Sequence, residues 1–472
     1  SFPCASLASY DEKKSAWVLE RGEYGIYVGK SSRELQPEAA LVLERTVVTE
    51  QCRPLFRGEK ADQLFPKHSA GVSYFCPTIL IDSESIPSVT HTYTGTPTAL
   101  SAPTRRVSFS DVTSGKATAS ELAGQLTPEE LALLCIGAAR VSFTDFSVIG
   151  NASKSIPGAA GDTTDRLEGY GIPQCAMADG PAGIRVNPKV YQRGDTYINN
   201  VEEDPILGKV LPPELRKVDL SGTEIKYQYC TALPVAVQLA QSWNPKLAEL
   251  AGDIAGAEME ELGIDLWLAP GLNIQRNPLC GRNFEYYSED PYLSGIFAAA
   301  VTRGVQKHPG KGTCIKHLAA NNQETCRSTS NSHVSERALR EIYLRGFEIC
   351  VKDSRPFSAM TSMNLLNGVH TANDQDLLTH ALRDEWGFDG IVMTDWGTTG
   401  QFVSVGEGRK YGPSTPVGCI LAGNDLIMPG TSFDEDTLFA AIRDGSLPVA
   451  ALQDCGKRLI QLLVKCTSGR KG

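Results

Sequence analysis

Long apolar runs and clustered basic residues are both missing from this sequence of 472 residues. No apolar segment approaches the roughly 20 residues that a membrane-spanning helix needs, so we expect no span. The net charge is −10, and no run of Lys and Arg is long enough to create a local positive field. Because such a field is what gathers phosphates, we expect neither nucleic acid nor an anionic membrane as a partner.

Paired cysteines are also missing. The sequence has 13 cysteines, an odd number, and none of them forms a Cys-x-x-Cys pair. Several lie inside apolar runs, where a thiol behaves as a small hydrophobic group: Cys135, Cys314 and Cys350. The first residues lack the charged and apolar regions of a signal peptide. We therefore predict a reducing, cytoplasmic compartment.

The composition favours a large folded core. Hydrophobic residues make up 41% and charged residues 21% of the chain, which is ordinary for a globular protein. Short apolar runs repeatedly end in polar clusters, at 175–180, 266–270, 313–317, 358–364, 390–397 and 419–425. Amphipathic segments lie between them, for instance Glu336 to Lys352. Strands that alternate with helices in this way predict a (β/α)8 barrel or a doubly wound sheet.

The N-terminal part differs in kind. Residues 1–57 contain short β-rich runs at 16–19, 24–29 and 40–43, which we interpret as the end of a β-sandwich. Residues 58–105 are rich in Ser, Thr and Pro, as is typical of an extended linker. The first firm helix start is at Thr127, which is followed by a proline and by Glu130 at the capping-box position. We assign residues 106–472 to one α/β domain.

Asp395 is the strongest candidate for a catalytic residue. It follows the apolar run Ile391 to Met393, and chemistry in parallel-strand barrels lies at the carboxyl ends of strands. As a glycosidic nucleophile it would attack an anomeric carbon, with Trp396 packed on the sugar ring and cations stabilising its charged form. Strand-end aspartates also commonly cap the next helix, so this alternative stays open.

Three other polar clusters carry candidate residues. Asp179 begins a glycine-rich turn that ends at Arg185, where its carboxylate could accept from sugar hydroxyls or cap a helix. Arg282 lies among acids and aromatics that could equally form a structural ion-pair cluster. Lys316 and His317 suit hydrogen bonds to hydroxyls. We expect no metal there, because no second histidine stands at ligand spacing.

Five motifs in chain order resemble glycoside hydrolase family 3. They are Asp179-Gly-Pro-Ala-Gly-Ile-Arg185, Gly281-Arg282-Asn-Phe-Glu-Tyr-Tyr-Ser-Glu-Asp290, Lys316-His317, Thr361-Ser362-Met363-Asn364-Leu-Leu-Asn367-Gly368 and Met393-Thr-Asp395-Trp396. The resemblance covers about residue 106 to the C-terminus. It implies a (β/α)8 barrel that holds one non-reducing-end sugar, with Asp395 as nucleophile and no cofactor. It places on that sugar or in its pocket Asp179, Arg282, Lys316, His317, Arg327, Met360, Met363 and Trp396.

The same resemblance implies a longer enzyme. Residues 1–57 look like the end of the fibronectin type III-like domain of family members, here placed before the barrel. In family β-glucosidases the general acid comes from a separate α/β sandwich domain, which we do not find in this sequence. We therefore expect an upstream polypeptide to supply the acid/base glutamate. A further departure is Met363, where relatives have a tyrosine, since a thioether cannot donate a hydrogen bond to the nucleophile.

Several functions remain open at this point. The first is a retaining exo-β-glycosidase acting on a small β-glucoside or oligosaccharide, most simply a β-glucosidase, with β-xylosidase close behind. The second is a β-N-acetylglucosaminidase that uses His333, although Asn331 stands where an aspartate is needed. The third belongs to another class: a sugar-binding fragment that does not turn over without its partner domain.

Overall fold

A computed structural model of the chain describes residues 2–31, 33–56, 75–138, 153–194, 196–198, 200, 202, 212–399 and 411–469. The chain divides into two compact units. The first comprises Ser1–Tyr93 with His333–Glu341, and the second comprises Thr94–Ser332 with Ile342–Gly472. No helix in the described ranges combines the length and the apolar character that crossing a bilayer requires.

The first unit is built from two small sheets. Its strands are β1 Ser9–Asp11, β2 Ala16–Leu19, β3 Gly22–Ser31, β4 Glu34–Leu43, β5 Val47–Gln51, β6 Thr78–Ile81 and β7 Val89–Thr90. One sheet has the order β1-β2-β5-β7 and the other the order β3-β4-β6. The three β-rich runs expected near the N-terminus correspond to β2, β3 and β4. Leu19, Leu43 and Ile86 are buried together in this unit.

Strands β6 and β7 lie within the stretch predicted to be a linker. Thr78-Ile-Leu-Ile81 pairs in parallel with β4, and Val89–Thr90 pairs in parallel with β5. β-branched residues favour this pairing, a local preference that the Ser, Thr and Pro content around them obscured. Residues 58–74 of the expected linker lie outside the described residues.

The second unit contains a curled mixed sheet, described below as the main sheet, and two three-stranded sheets. Its strands are β8 Gly161–Asp162, β9 Ala176–Ala178, β10 Lys189–Arg193, β11 Thr196–Ile198, β12 Glu224–Tyr227, β13 Leu266–Trp267, β14 Gly312–Leu318, β15 Asn331–Ser332, β16 Ser358–Thr361, β17 Leu365–Leu366, β18 Val369–His370 and β19 Ile391–Met393. The two three-stranded sheets have the orders β11-β10-β12 and β15-β17-β18, and the main sheet has the order β19-β16-β14-β13-β9-β8. All of its neighbours run parallel except β8, which is antiparallel to β9.

Isolated bridges continue this sheet from one edge back to the other. The bridged pairs are Met393 with Leu426, Ile427 with Ile136, and Gly137 with Thr163 beside β8. The amide of Ile427 donates to the carbonyl of Cys135 and the amide of Gly137 donates to that of Ile427, both over 2.9 Å. The sheet therefore curls into a ring around side chains that are almost fully buried, such as Met177 and Met393.

Helices occur in both units. They are α1 Phe109–Thr113, α2 Ala119–Gln125, α3 Pro128–Leu134, α4 Pro213–Arg216, α5 Ala236–Gln241, α6 Pro245–Leu262, α7 Pro291–Val305, α8 Glu336–Ala338, α9 Arg345–Ser354, α10 Pro416–Ala422, α11 Ser432–Asp444 and α12 Val449–Thr467, with π-helical Leu339–Tyr343 and Asp376–Glu385 and 3-10 turns Cys4–Leu7, Glu168–Tyr170, Asn283–Glu285 and Thr371–Asn373. The expected helix start at Thr127 is confirmed, with Thr127 and Glu130 forming a capping box. The helix expected over 336–352 is present but is broken at Leu344.

One expected strand is wrong. The apolar run that begins at Cys419 belongs to α10, not to a strand. Thr415 caps this helix, Pro416 occupies its first turn, and Gly423 ends it in the left-handed region. A short buried run has the same composition in either structure, so its flanking residues decide. The backbone that joins the sheet is the next segment, Leu426–Ile427.

Candidate functional site: a polar cavity at the strand ends

Asp395 lies directly beyond the carboxyl end of β19. The strand Ile391–Met393 is completely buried, and Thr394 continues it by donating its amide to the carbonyl of Leu426 over 3.0 Å. Asp395 itself is 7% exposed. Its side chain therefore leaves the sheet where the hydrogen-bonded backbone ends, close to the ends of the neighbouring strands.

Four further expected residues stand at the ends of parallel strands. Asp179 follows β9, Lys316 and His317 close β14, and Met360 lies in β16. Adjacent parallel strands end at one edge of a sheet, so these side chains converge although they are far apart in sequence.

A partly open cavity of about 190 Å³ forms at this edge. It is lined by Ala160, Asp179, Arg185, Leu268, Arg282, Lys316, His317, Arg327, Met360, Asp395 and Trp396. Eight of the nine expected site residues are thus brought together here, and Met363 is not among the lining residues. Three lining residues were not expected: Ala160, Arg185 and Leu268. Arg185 could have been found, since it closes the motif that begins at Asp179.

Two different donors hold the carboxylate of Asp395. Arg327 donates from Nη2 to Oδ2 over 2.5 Å. The backbone amide of Trp396 donates to Oδ1 over 2.8 Å. Burial acts to lower the pKa of Arg327, but the negative charges of Asp395 and Glu324 act more strongly to raise it. The net shift is upward, and the guanidinium stays charged. With one donor on each oxygen, the orientation of the carboxylate is determined.

Asp179 forms a second anchored carboxylate. Lys316 Nζ lies 2.6 Å from Oδ1, and Arg185 Nη2 lies 2.6 Å from Oδ2. Burial alone would raise the pKa of Asp179, but the charges of Lys316 and Arg185 outweigh it and lower the pKa to about 2. Asp179 is therefore ionised at neutral pH and can act only as a hydrogen-bond acceptor.

His317 is held neutral by its surroundings. Burial and the nearby charges of Arg282, Lys316 and Arg327 lower its pKa well below the usual value. Nδ1 lies 3.2 Å from the hydroxyl of Tyr286, which in turn accepts from Asn321 over 3.0 Å. The ring is therefore fixed in place as a neutral hydrogen-bonding group.

Arg282 is fixed through Glu285. The guanidinium bonds directly to the buried carboxylate of Glu285. Burial acts to lower the pKa of Arg282, but Tyr286, Glu285 and Asp395 act in the other direction and raise it overall. The ion pair that the sequence left as an alternative is thus present, and the same arginine also lines the cavity.

Trp396 and Met363 differ in their placement. The indole Nε1 of Trp396 donates to the carbonyl of Ala160 over 3.1 Å, which holds the ring against the cavity. Met363 lies in the loop after β16, where its sulfur is 4.0 Å from the hydroxyl of Ser328.

The charge balance of the cavity disfavours a metal cation. Its two carboxylates are already paired with cations, and its one imidazole is surrounded by three positive side chains. Such a lining instead suits a neutral ligand rich in hydroxyls, which can both donate to carboxylates and accept from cations. A wider groove of about 530 Å³ adjoins it and shares Asp179, Arg185 and Arg282.

Known proteins share this architecture. Residues 208–462 match the family model described as "Glycosyl hydrolase family 3 N terminal domain". β-Glucosidase A of Butyrivibrio fibrisolvens is 33% identical over 462 residues, which is 92% of this chain and 47% of that protein. This chain thus spans about half the length of the relatives that it matches.

Two solved structures extend the comparison. A β-glucosidase from Paenibacillus barengoltzii has a TM-score of 0.75 at 32% identity, covering 100% of this chain and 48% of that one. β-Glucosidase 3B from Thermotoga neapolitana, solved in complex with glucose, has a TM-score of 0.60 at 41% identity, covering 74% of this chain and 43% of that one.

Proposed function

The chain belongs to glycosyl hydrolase family 3, and from this premise we propose that it is a retaining, exo-acting β-glycosidase, most simply a β-glucosidase. One observation carries the proposal. The carboxylate of Asp395 borders a cavity of about 190 Å³ and is oriented by Arg327 and by the amide of Trp396. A nucleophile must be aimed at the reacting carbon, and these two donors fix the orientation of the carboxylate.

The reaction proceeds in two steps on one sugar. Asp395 attacks the anomeric carbon as the glycosidic oxygen leaves with a proton, and a covalent glycosyl-enzyme forms. Water, deprotonated by the same acid/base group, then releases the sugar and restores the carboxylate. Arg327 keeps Asp395 pointed at the anomeric carbon in both steps.

The remaining cavity residues bind hydroxyl groups. The ionised carboxylate of Asp179 accepts, whereas Lys316 and Arg282 donate. Met360 and Trp396 supply apolar surface for the C–H faces of the ring. A cavity of about 190 Å³ is small compared with typical ligand pockets, which supports release of a single terminal sugar.

The general acid must be a different group from Asp179. Asp179 has a pKa of about 2, so it carries no proton to donate at neutral pH. Asp395 and Asp179 are the two carboxylates among the described residues that line the cavity. We therefore propose that a glutamate of an upstream α/β sandwich polypeptide supplies the proton. This proposal is supported by the twofold greater length of the relatives.

Two minor assignments complete the proposal. The two sheets of the first unit support its assignment to the end of a fibronectin type III-like domain, followed by a (β/α)8 barrel in the second unit.

The buried cysteines support a reducing, cytoplasmic compartment. Burial raises the pKa of Cys314 to about 12 and that of Cys350 to about 11, so both remain neutral thiols that pack as apolar groups.

Trapping the intermediate tests the nucleophile. A 2-deoxy-2-fluoro-β-glucoside with a dinitrophenyl leaving group should label the chain once, on the peptide that contains Asp395. Asp395→Ala should abolish labelling, whereas Asp436→Ala, which removes an exposed carboxylate from α11, should leave it unchanged. A label on any other residue would refute the assignment.

The acid is tested by varying the leaving group. Dinitrophenol leaves without protonation, so the chain alone should release it in a burst that depends on Asp395. A methyl or alkyl glucoside should be hydrolysed only after the upstream segment is restored. Equal rates on the alkyl glucoside with and without that segment would contradict the missing-acid proposal but not the nucleophile.

A panel of aryl glycosides separates the alternatives. Faster turnover of the xyloside than the glucoside would favour a β-xylosidase. Turnover of the N-acetylglucosaminide alone would favour the hexosaminidase, although Asn331 is engaged by accepting from the amide of Gly368 over 2.9 Å. Glucose binding by calorimetry without any burst would leave a sugar-binding fragment.

A further inference from the structure

We propose that Glu50, Cys52 and His91 form a binding site for a divalent transition-metal ion, for which zinc is the best match. A carboxylate oxygen of Glu50, the sulfur of Cys52 and a ring nitrogen of His91 lie within 4.8 Å of one another. All three residues belong to the first unit, so this site is separate from the cavity that contains Asp395.

The backbone of one sheet brings the three side chains together. Glu50 lies in β5, and Cys52 follows two positions later, so both side chains point to the same face. Strand β7 pairs in parallel with β5 through Gln51 and Thr90. The amide of His91 then donates to the carbonyl of Gln51 over 3.3 Å, which places His91 beside the end of β5. The cluster therefore follows from strand register.

The ligand types select for zinc-like ions. Sulfur, imidazole nitrogen and carboxylate oxygen are the donors that Zn²⁺ uses, whereas Mg²⁺ and Ca²⁺ prefer oxygen alone. The site is also largely closed to solvent: Cys52 is 6% exposed, and the side chains of His91 and Glu50 are 10% and 20% exposed. A dication would neutralise one carboxylate and one thiolate, which suits a poorly solvated position. Three protein ligands leave the fourth position for water.

Small side-chain movements would complete the coordination. His91 Nε2 and Glu50 Oε1 are 2.6 Å apart, a hydrogen-bonding distance. Donors around a tetrahedral zinc ion, with bonds of about 2.0–2.3 Å, are roughly 3.3–3.7 Å apart. Binding would thus separate this pair by less than about 1 Å and draw the Cys52 sulfur inward.

Proton balance makes the site pH-dependent. The ion takes the place of the proton between His91 and Glu50, the imidazole keeping one proton on Nδ1. It also displaces the thiol proton of Cys52, so binding weakens as the pH falls. Binding would link β7, which has only two residues, to β5, and should raise the thermal midpoint of the chain.

Cobalt titration of the full chain tests the proposal. Chelator-stripped protein should bind one equivalent of Co²⁺ with a near-ultraviolet thiolate-to-cobalt band and visible d–d bands, and Zn²⁺ should displace it. Cys52→Ala should remove the thiolate band. His91→Gln and Glu50→Gln should each weaken Zn²⁺ binding at least tenfold, as measured by competition with a chromogenic chelator. Cys326→Ser, which alters an exposed cysteine of the second unit, is the matched control and should change neither result.

Two results would overturn the site. One is the absence of a thiolate band in the unmodified chain at one equivalent of Co²⁺. The other is a band of the same intensity in Cys52→Ala. If Cys52→Ala fails to fold, the two glutamine variants decide, because their positions are partly exposed: unchanged Zn²⁺ affinity in both, with metal-free circular dichroism like that of the unmodified chain, refutes the proposal.

Discussion

Arg327 is bonded to Asp395 through a single short contact, Nη2 to Oδ2 over 2.5 Å, and also lies 3.5 Å from Glu324. The arginine and aspartate side chains are 19% and 10% exposed. A guanidinium between two carboxylates keeps its charge, and it orients Asp395 without taking part in bond making. In the proposed mechanism Arg327 is a positioning residue, and its removal should affect catalysis more than folding.

We predict that Arg327→Ala lowers kcat/KM on a dinitrophenyl glucoside by about 10- to 100-fold, because a hydrogen bond between charged groups contributes roughly 1.5–3 kcal/mol. Arg327→Lys should retain part of the activity, since it keeps the charge but loses the planar donor geometry. Arg45→Ala, at an exposed ion pair of the first unit, is the control. A less than twofold loss in Arg327→Ala would contradict the positioning role.

The low pKa of Asp179 predicts a specific acid dependence of stability. An unfolded aspartate has a pKa of 3.8. In the folded protein the charges of Lys316 and Arg185 outweigh the effect of burial and lower the pKa of Asp179 to about 2. This difference stabilises the fold by about 2 kcal/mol above pH 5, and the contribution is lost as the pH falls from about 4 to about 2. Asp179→Asn should therefore have a lower thermal midpoint than the unmodified chain at pH 6.

The same variant supplies the internal check. The difference in midpoint should shrink as the pH approaches the lowest value at which both proteins remain folded. Asp436→Asn, which replaces an exposed carboxylate of α11, is the matched control. A difference for Asp179→Asn that is constant with pH would mean that packing rather than charge accounts for the loss.

His317 should not titrate near the usual pKa of a histidine in the folded protein, because its burial and three neighbouring cations lower its pKa well below that value. Protein labelled with ¹³Cε1-histidine would show this as a constant chemical shift, and His317→Gln would identify the resonance. Below about pH 6.5 the unfolded chain gains a proton on this ring that the folded chain does not, so this residue reduces stability progressively on acidification. A titration midpoint near 6 would contradict the buried environment.

Asp425 predicts the largest effect on stability. It is completely buried, and its carboxylate accepts from Arg383 and from Arg458, each over 2.7 Å, and from the amide of Val392 over 2.8 Å. Asp425→Ala takes the acid partner from Arg383 and one of two acid partners from Arg458, both largely buried, and should cost about 3–5 kcal/mol. Urea unfolding should show the midpoint fall sharply, with little change in Asp389→Ala, an exposed ion pair. Equal midpoints would show that the buried network is not stabilising.

Local patterns account for the elements that could be predicted. The buried strands before Asp179 and Asp395 are visible as apolar runs, and the cap at Thr127 is visible as a capping box. Two earlier helices carry the same signal, Ser108 with Asp111 and Thr118 with Glu121, and could have been recognised in the same way. These signals are readable because they depend on residues at most four positions apart.

Other features depended on residues outside the apolar run or motif that suggested them. The run at Cys419 is as apolar as a strand but forms α10, because Thr415 and Pro416 start a helix there. The partner of Asp179 is Lys316, 137 residues later, and Arg185 completes the pair from the turn itself. The cluster of Glu50, Cys52 and His91 was likewise not predicted, since His91 is 41 residues from Glu50.

The sequence by itself determined which residues could do chemistry and that they follow buried strands, because side-chain type and hydrophobic period are local properties. Only the tertiary structure decided which of these residues meet, how Arg327 and Trp396 orient Asp395, and how burial and neighbouring charges change the pKa values of Asp179 and His317. Those outcomes depend on distances between distant segments. These residues come close to one another only in the folded protein, where the parallel strands end at one edge of the curled sheet.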